Sequence, residues 1–259
     1  RIHRGGRAVK LLRPRWRLAV LLILLVLLSA GGAYFALDEP LPTGQTGAGA
    51  DALARQMQSA VDIAAWQQTG AVRWTFAQRR HLWDRRRGLA RVQWDNTEVQ
   101  LDLWHHTGLA LRDGTRMEVA DELIEAARGY WINDSFWLNP LAKLFDKGTR
   151  RELVVQPDGS DGLLVTYTEG GNTPGDAYLW LVGPTGLPRA WKMWVSIIPV
   201  GGLETSWEEW IELETGAKVS LRHRWSRFTL ELKDVEGATS LKELTADNDP
   251  LAAIASARN

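Results

Sequence analysis

Between residues 71 and 112 apolar and polar positions alternate. Val72, Trp74 and Phe76 take turns with Arg73 and Thr75, and Val99, Leu101 and Leu103 take turns with Glu98, Gln100 and Asp102. A period of two sends successive side chains to opposite faces of a strand. Further strand-like runs cover 81–87, 89–94 and 108–112. From residue 151 the pattern returns over 151–156, 162–169, 176–183, 187–198, 203–213, 217–226 and 227–235. Asp158-Gly159, Thr185-Gly186 and Thr215-Gly216 fall between these runs, where tight turns belong.

Helical spacing is confined to the stretches before each block of strands. Leu53, Met57, Ala60, Val61 and Ala64 form one apolar face over 51–68, with Asp51 as the expected cap and Gly70 as the stop. The polar face lacks a Lys/Arg cluster, so this helix is read as packed on protein and not on a membrane surface. Asp121–Arg128 is the second helix, with acids early and Arg128 late, as the helix dipole favours. Then comes Trp131–Lys147, which holds two Trp, two Phe and three Leu. It is too irregular for one amphipathic helix. Asn139-Pro140 reads as an N-cap with proline at the first helical position, opening a short helix that Gly148 closes.

The total is eleven or twelve strands and three helices, a mainly β (α+β) chain. A sheet of that size must curl or close to protect its edges, and so few helices cannot cover both faces of a doubly wound sheet. The expected fold is one strongly curved antiparallel sheet, an unclosed half-barrel, with helix 51–68 and the 120–147 region as a lid over its concave side.

Leu18–Leu37, LAVLLILLVLLSAGGAYFAL, is uncharged and of bilayer-spanning length. Seven Lys/Arg and no acid precede it, and Asp38 and Glu39 follow. The positive-inside rule then puts the N-terminus in the cytoplasm and residues 38–259 outside it, tethered to the membrane. A cleaved signal peptide ending near Gly31-Gly32-Ala33 is the rival reading. The expected division is a basic flank 1–17, an anchor 18–37, a linker 38–50, a binding domain 51–236 and a peripheral tail 237–259.

Formal net charge is zero, but the basic flank leaves 24 basic against 31 acidic residues beyond position 17. That acidic balance argues against a nucleic-acid partner. The absence of cysteine excludes disulfides, thiol catalysis and a lipidated N-terminal Cys. Fourteen Trp against 5 Phe and 4 Tyr is unusual. Trp serves where one side is apolar and the other hydrated, so the excess indicates either an apolar cavity or a Trp-rich core.

Chemistry-bearing clusters are sparse. His105 and His106 are adjacent, so on a strand their rings diverge and share no metal. His81 and His223 read as partly exposed strand residues. Glu204, Glu208, Glu209, Glu212 and Glu214 could suggest a hydrolytic carboxylate pair. Arg222, Arg224 and Arg227 on the next strand are the more economical explanation, as cross-strand partners. Arg79-Arg80 and Arg85–Arg87 read as a solvated strand face, or as a contact for anionic headgroups. No nucleophile elbow, phosphate loop or HExxH motif occurs, so a non-enzyme without metal or cofactor is expected.

Trp131, Asn133, Asp134, Phe136, Trp137, Leu138, Pro140, Lys143, Leu144, Asp146 and Gly148 carry a resemblance. With Tyr178-Leu-Trp180, Gly186-Leu-Pro188, Trp191-Lys-Met-Trp194, Trp207 and Trp210, they resemble a bacterial family of unknown function. That family is placed in the LolA/LolB/RseB-like superfamily of periplasmic lipoprotein-handling domains. The resemblance covers residues 51–236. It implies an unclosed barrel whose helical lid covers an apolar cavity for acyl chains. The chain departs from the superfamily's soluble carrier in its anchor, and from the outer-membrane member in lacking a lipidated Cys.

The expected function is non-catalytic binding of an acyl chain, lipid or lipoprotein, with a protein-interaction or sensing subunit as the alternative. The expected cavity lining is Trp74, Phe76, Trp83, Trp94, Trp131, Phe136 and Trp137, with Trp180 and Trp194. Asn133 and Asp134 are placed either at the cavity mouth or as local caps.

Overall fold

The computed structural model describes residues 38–246 and 248–258. The apolar segment 18–37 and its basic flank lie outside the described residues. Among those described, no helix is long and apolar enough to cross a membrane.

Two helices, α1 (Ala48–Ala60) and α2 (Ile63–Gln68), lead into an antiparallel meander. Its strands are β1 (Ala71–Phe76), β2 (Arg79–Asp84), β3 (Leu89–Trp94), β4 (Thr97–Asp102), β5 (Thr107–Arg112) and β6 (Thr115–Arg116). Helix α3 (Asp121–Leu138) and a 3-10 turn at Pro140–Lys143 follow. A second meander comprises β7 (Thr149–Val155), β8 (Asp161–Tyr167), β9 (Ala177–Val182), β10 (Pro188–Trp194) and β11 (Leu203–Ser206). The chain ends in β12 (Glu208–Glu212), β13 (Lys218–Trp225), β14 (Phe228–Ala238), α4 (Leu241–Thr245) and α5 (Ala252–Ser256).

The strands form two antiparallel sheets, neither closed on itself. One runs β12-β13-β14-β1-β2-β3-β4-β5-β6 and the other β11-β10-β9-β8-β7. The mainly β, antiparallel, unclosed expectation holds. The single sheet does not, because the run read as one strand over 203–213 breaks at Trp207. Its first half pairs with β10 and its second with β13. At the break, the Trp207 N–H donates to the Arg189 carbonyl at 2.9 Å, the Arg224 N–H donates to Ser206 Oγ at 2.8 Å, and Glu209 takes a left-handed φ of 54°. The local turn re-aims the strand, so both sheets share one kinked seam.

α1 and α2 were expected as one helix. They separate at Val61-Asp62, where the Val61 carbonyl leaves the helix to accept Lys218 N–H at 2.9 Å. Asp62, left-handed at φ 49°, then caps α2 by accepting from Ala65 N–H at 2.9 Å. Asp51 is not a cap; it sits in the first turn and pairs with Arg151 at 2.7 Å. α3 continues ten residues past Arg128 to Leu138, absorbing half of the stretch read as irregular. Asn139 does cap the 3-10 turn, its Oδ1 accepting from Ala142 N–H at 3.3 Å.

α1 packs on the five-stranded sheet through Ala50, Ala54, Met57 and Val61. α3 packs on the inner face of the nine-stranded sheet through Ala127 and Leu138. The segment after 237 is not peripheral. Leu241, Leu251 and Ile254 cover that sheet's outer face beside Ala71, Leu82, Leu89 and Leu109. Arg258 Nη2 donates to the buried Asp102 at 2.7 Å, and the guanidinium holds this carboxyl well below the usual range. Within the linker, Gln45 pairs with Leu153, and a Cβ on Gly44 would lie 2.5 Å from the Leu153 carbonyl.

The core between the sheets is aromatic. Trp137 stands where α3 meets the seam, with ring centroids 4.9 Å from Trp191, 6.2 Å from Trp207, 6.1 Å from Phe76 and 5.1 Å from His223. Removing a buried indole loses its transfer energy and leaves a cavity. Trp137→Ala should therefore destabilise the protein by about 3–5 kcal/mol in urea unfolding, while Val155→Ala on exposed β7 should stay within about 0.5 kcal/mol.

Candidate functional site

One cleft, of about 520 Å³, opens beside α3. Trp131, Ile132, Asn133 and Phe136 of the helix form one wall, and Tyr167 and Tyr178 form the other. Lys143, Asp146 and Lys147 border it from the segment after the 3-10 turn, and Glu169 to Thr173 border it from the β8–β9 loop. The helix supplies its wall because its sheet-facing side is Ala127, Asp134 and Leu138, whose helical spacing turns Ile132 and Phe136 away from that sheet, with Ser135 at the edge of the cleft.

The floor is aromatic. Phe136 packs at 5.5 Å from Tyr167, 5.2 Å from Tyr178 and 5.8 Å from Trp191, between ring centroids. Trp83 backs Trp131 edge-on at 5.3 Å. Trp131 Nε1 and Tyr167 Oη are buried without a hydrogen-bond partner. Burial pushes both the Tyr167 and Tyr178 phenols up, so both are neutral donors at ordinary pH. The rim is polar and internally compensated. Lys143 pairs with Asp146 at 3.2 Å, Lys147 with Glu169 at 3.3 Å, and Asp176 accepts the Ser196 N–H at 2.9 Å.

Of the expected lining, the structure brings Trp131, Phe136 and Asn133 to this cleft. The others lie elsewhere. Trp74 is fully buried and stacks on His81 at 4.5 Å. Phe76 stacks on Trp137, and Trp94 meets Tyr130 edge-on at 5.3 Å. Trp180 is fully buried between Trp191 and Trp207. Trp194 points to the opposite face of its sheet, against Ala177, Leu179 and Ala190. Period-two alternation cannot say which apolar face of a two-faced strand meets a cavity, and most of these Trp fill core. Tyr167, Tyr178 and the Glu169–Thr173 loop were missed. The available signal was the Gly170-Gly171-Asn172-Thr173-Pro174-Gly175 run between two strands, each carrying a Tyr near its loop end.

Asp134 is neither cap nor cavity mouth. It is sealed, with Arg79 Nε donating to Oδ2 at 2.7 Å and Arg79 Nη2 to Oδ1 at 2.9 Å. His81 Nε2 reaches Oδ2 at 2.7 Å, and Asn133 Nδ2 donates to Oδ1 at 2.9 Å. Burial pushes the Asp134 carboxyl up, but the hydrogen bonds from His81 and Arg79 outweigh it and hold the group below its ordinary range. Burial lowers His81 in spite of its partner. His81 and His223 are therefore not partly exposed. His223 lies 4.3 Å from Trp207 between ring centroids, donates from Nδ1 to the Ser206 carbonyl at 3.2 Å, and is pushed by burial down to about 4.

The basic cluster is dispersed as well. Arg79 goes to Asp134, Arg85 lies over Trp66 and Trp83, and Arg87 pairs with Asp84 at 2.6 Å and Asp249 at 2.8 Å. His105 and His106 occupy the β4–β5 turn, His105 against Asp102 at 2.9 Å and His106 against Arg128. Glu208 pairs with Arg224 at 2.7 Å, and Glu209 pairs with Arg222. Among the described residues no group of three or more His, Cys, Asp or Glu could hold a metal ion.

Breaking a sealed ion pair strands its partner charge. Asp134→Ala should cost about 3–5 kcal/mol, whereas Glu236→Ala, in the exposed pair with Arg73, should cost no more than about 1 kcal/mol. His223 has a folded pKa of about 4 against its ordinary 6.5, so unfolding takes up a proton between those values. The stability it contributes is complete above 6.5 and falls as pH drops towards 4, a loss of roughly 3 kcal/mol. His81 acts in the same direction. Urea midpoints measured across this range should decline less steeply in His223→Leu. No family model matches the chain, and no curated protein matches it.

Proposed function

We propose that this chain is a non-catalytic binding module for an amphiphile, whose single acyl chain or similar apolar part occupies the cleft beside α3. The observation that carries this reading is the aromatic lining of Trp131, Phe136, Tyr167 and Tyr178 beneath a polar rim. A cleft of about 520 Å³ is of small-ligand size, and apolar walls with few polar groups are the usual build of such sites. Burying the chain contributes about 0.8 kcal/mol per CH₂ before the costs of immobilising it.

The segment 18–37 is the membrane anchor in this reading, and the domain faces the periplasm. The half-barrel likeness to lipoprotein-handling domains rests on the motif at 131–148. That motif supplies the helix wall and Lys143 of the cleft, which agrees with an acyl ligand, lipid or lipoprotein-borne. The Asp134 carboxylate supports a binding role over a catalytic one, since both its oxygens are committed to Arg79, Asn133 and His81 Nε2.

The alternative of a protein-interaction subunit has one observation in its favour, the complete burial of Trp74, Trp180 and Trp191 as plain core. The two readings separate in the full chain extracted in mild detergent. Titration with a fluorescent single-chain fatty acid should saturate at one site and be quenched by brominated lipid. Asn172→Trp, which fills the cleft from an exposed loop, should abolish that binding while leaving the urea midpoint within about 0.5 kcal/mol. Fatty-acid binding that is absent in the parent chain, or unchanged in Asn172→Trp, sinks the amphiphile reading.

A further inference from the structure

The β13–β14 hairpin carries a surface that the cleft does not use. Its strands pair Trp225 with Phe228, Arg224 with Thr229 and His223 with Leu230. Alternation therefore puts His223, Trp225, Phe228 and Leu230 on one face. His223 is sealed in the core, but beyond it the face runs out of cover. Trp225 is 39% exposed, Phe228 55% and Leu230 38%. The Trp225 and Phe228 rings lie 5.7 Å apart, and the Arg227 guanidinium sits 5.5 Å from the Phe228 ring.

The turn itself is Ser226-Arg227, with Ser226 left-handed at φ 52°. Trp104, the other exposed indole, stays 59% exposed with the Arg258 guanidinium 5.1 Å from its ring as its cover. Trp225 and Phe228 have no such cover from outside their hairpin among the described residues.

The charge at the tip points to one occupant. Over 222–230 the chain reads Arg-His-Arg-Trp-Ser-Arg-Phe-Thr-Leu, with no acid. Arg222 is held by Glu209 and by Glu231, the residue just past this span, and Arg224 by Glu208, while Arg227 makes no ion pair among the described residues. Paired aromatics ringed by Arg at a protruding end match the boundary of a bilayer. There an indole sits at headgroup depth and guanidinium groups meet phosphates.

We propose that the 225–230 tip inserts into the headgroup layer of an anionic membrane and sets the orientation of the domain against it. This rests on the anchoring reading of segment 18–37 and is independent of what fills the cleft.

The absence of cysteine makes the test direct. Phe228→Cys and, as a control, Val155→Cys on exposed β7 each give a unique site for an environment-sensitive nitrobenzoxadiazole label. The full-length chain is placed in nanodiscs of phosphatidylcholine with or without phosphatidylglycerol. The expected result is a blue shift with at least about a twofold intensity gain at 228 in anionic discs. It should be quenched by brominated lipid, weakened by Arg224→Gln/Arg227→Gln, and absent at 155. Chain that enters the discs yet shows the same polar emission at 228 as at 155 overturns the tip alone. Chain that fails to co-elute with discs overturns the anchor and the tip together, and leaves the cleft reading to its own fatty-acid titration.

Discussion

The position of α3 depends on one carboxylate. Asp134 faces the sheet with no access to water, and the forked guanidinium of Arg79 and the ring of His81 compensate it from the sheet, with Asn133 donating from its own helix. Arg79 and His81 both come from β2, the central strand of the nine-stranded sheet. A bidentate Arg–carboxylate pair fixes direction as well as distance. His81 is held in turn by its stack on Trp74 of β1. The net contribution of such a cluster to stability is modest, because desolvation offsets most of the Coulomb gain. Its effect is on specificity: no other rotation of α3 satisfies the charge. With Asp134 fixed, helical geometry dictates that Phe136 and Ile132 face the cleft and that Leu138 faces the sheet.

The second constraint is the kink at Trp207. A sheet of nine strands joined flat to one of five would leave long edges and no enclosed volume. Breaking one strand so that each half belongs to a different sheet folds the surface on itself without a long connection. The backbone groups freed at the kink are re-paired by the Arg189 carbonyl, the Ser220 hydroxyl and the His223 ring. Seam and helix therefore share the region around Trp137 and His223, and burial there keeps His223 neutral.

Much of this was legible in the sequence. Alternation located nearly every strand, because half-buried antiparallel strands must alternate. Cross-strand pairing of Glu208 with Arg224 followed from charge and order alone. What was illegible depends on tertiary partners. The strand over 203–213 reads as continuous, since a kink made by hydrogen bonds to β10 and β13 leaves no local mark beyond Glu209. α3 looked irregular past Arg128 because its apolar positions serve two surfaces, so that no single stripe shows. His81 and Asp134 are 53 residues apart, and polar residues with distant partners look solvated when read locally. The tail failed for the converse reason: Leu251 and Ile254 sit in an alanine-rich run too short to show a period, yet the outer face of the sheet needs them.

The distribution of the aromatics follows from the same geometry. The two sheets diverge from the seam, and the gap between them must be filled by side chains of suitable size. Walking across the five-stranded sheet, the rings pass from Trp207 to Trp191 at 4.9 Å, to Tyr178 at 4.6 Å and to Tyr167 at 5.9 Å. Along α3 the order is Trp137, Phe136, then Ile132 and Asn133. On both walls the largest apolar groups stand nearest the seam, and polar atoms enter as distance from it grows. Where the glycine-rich loop after Glu169 replaces a further strand, the filling stops and the cleft begins. The indoles of Trp137, Trp180, Trp191 and Trp207 are thus a property of the wedge, and the cleft is the part they do not fill, bordered on one side by Trp131.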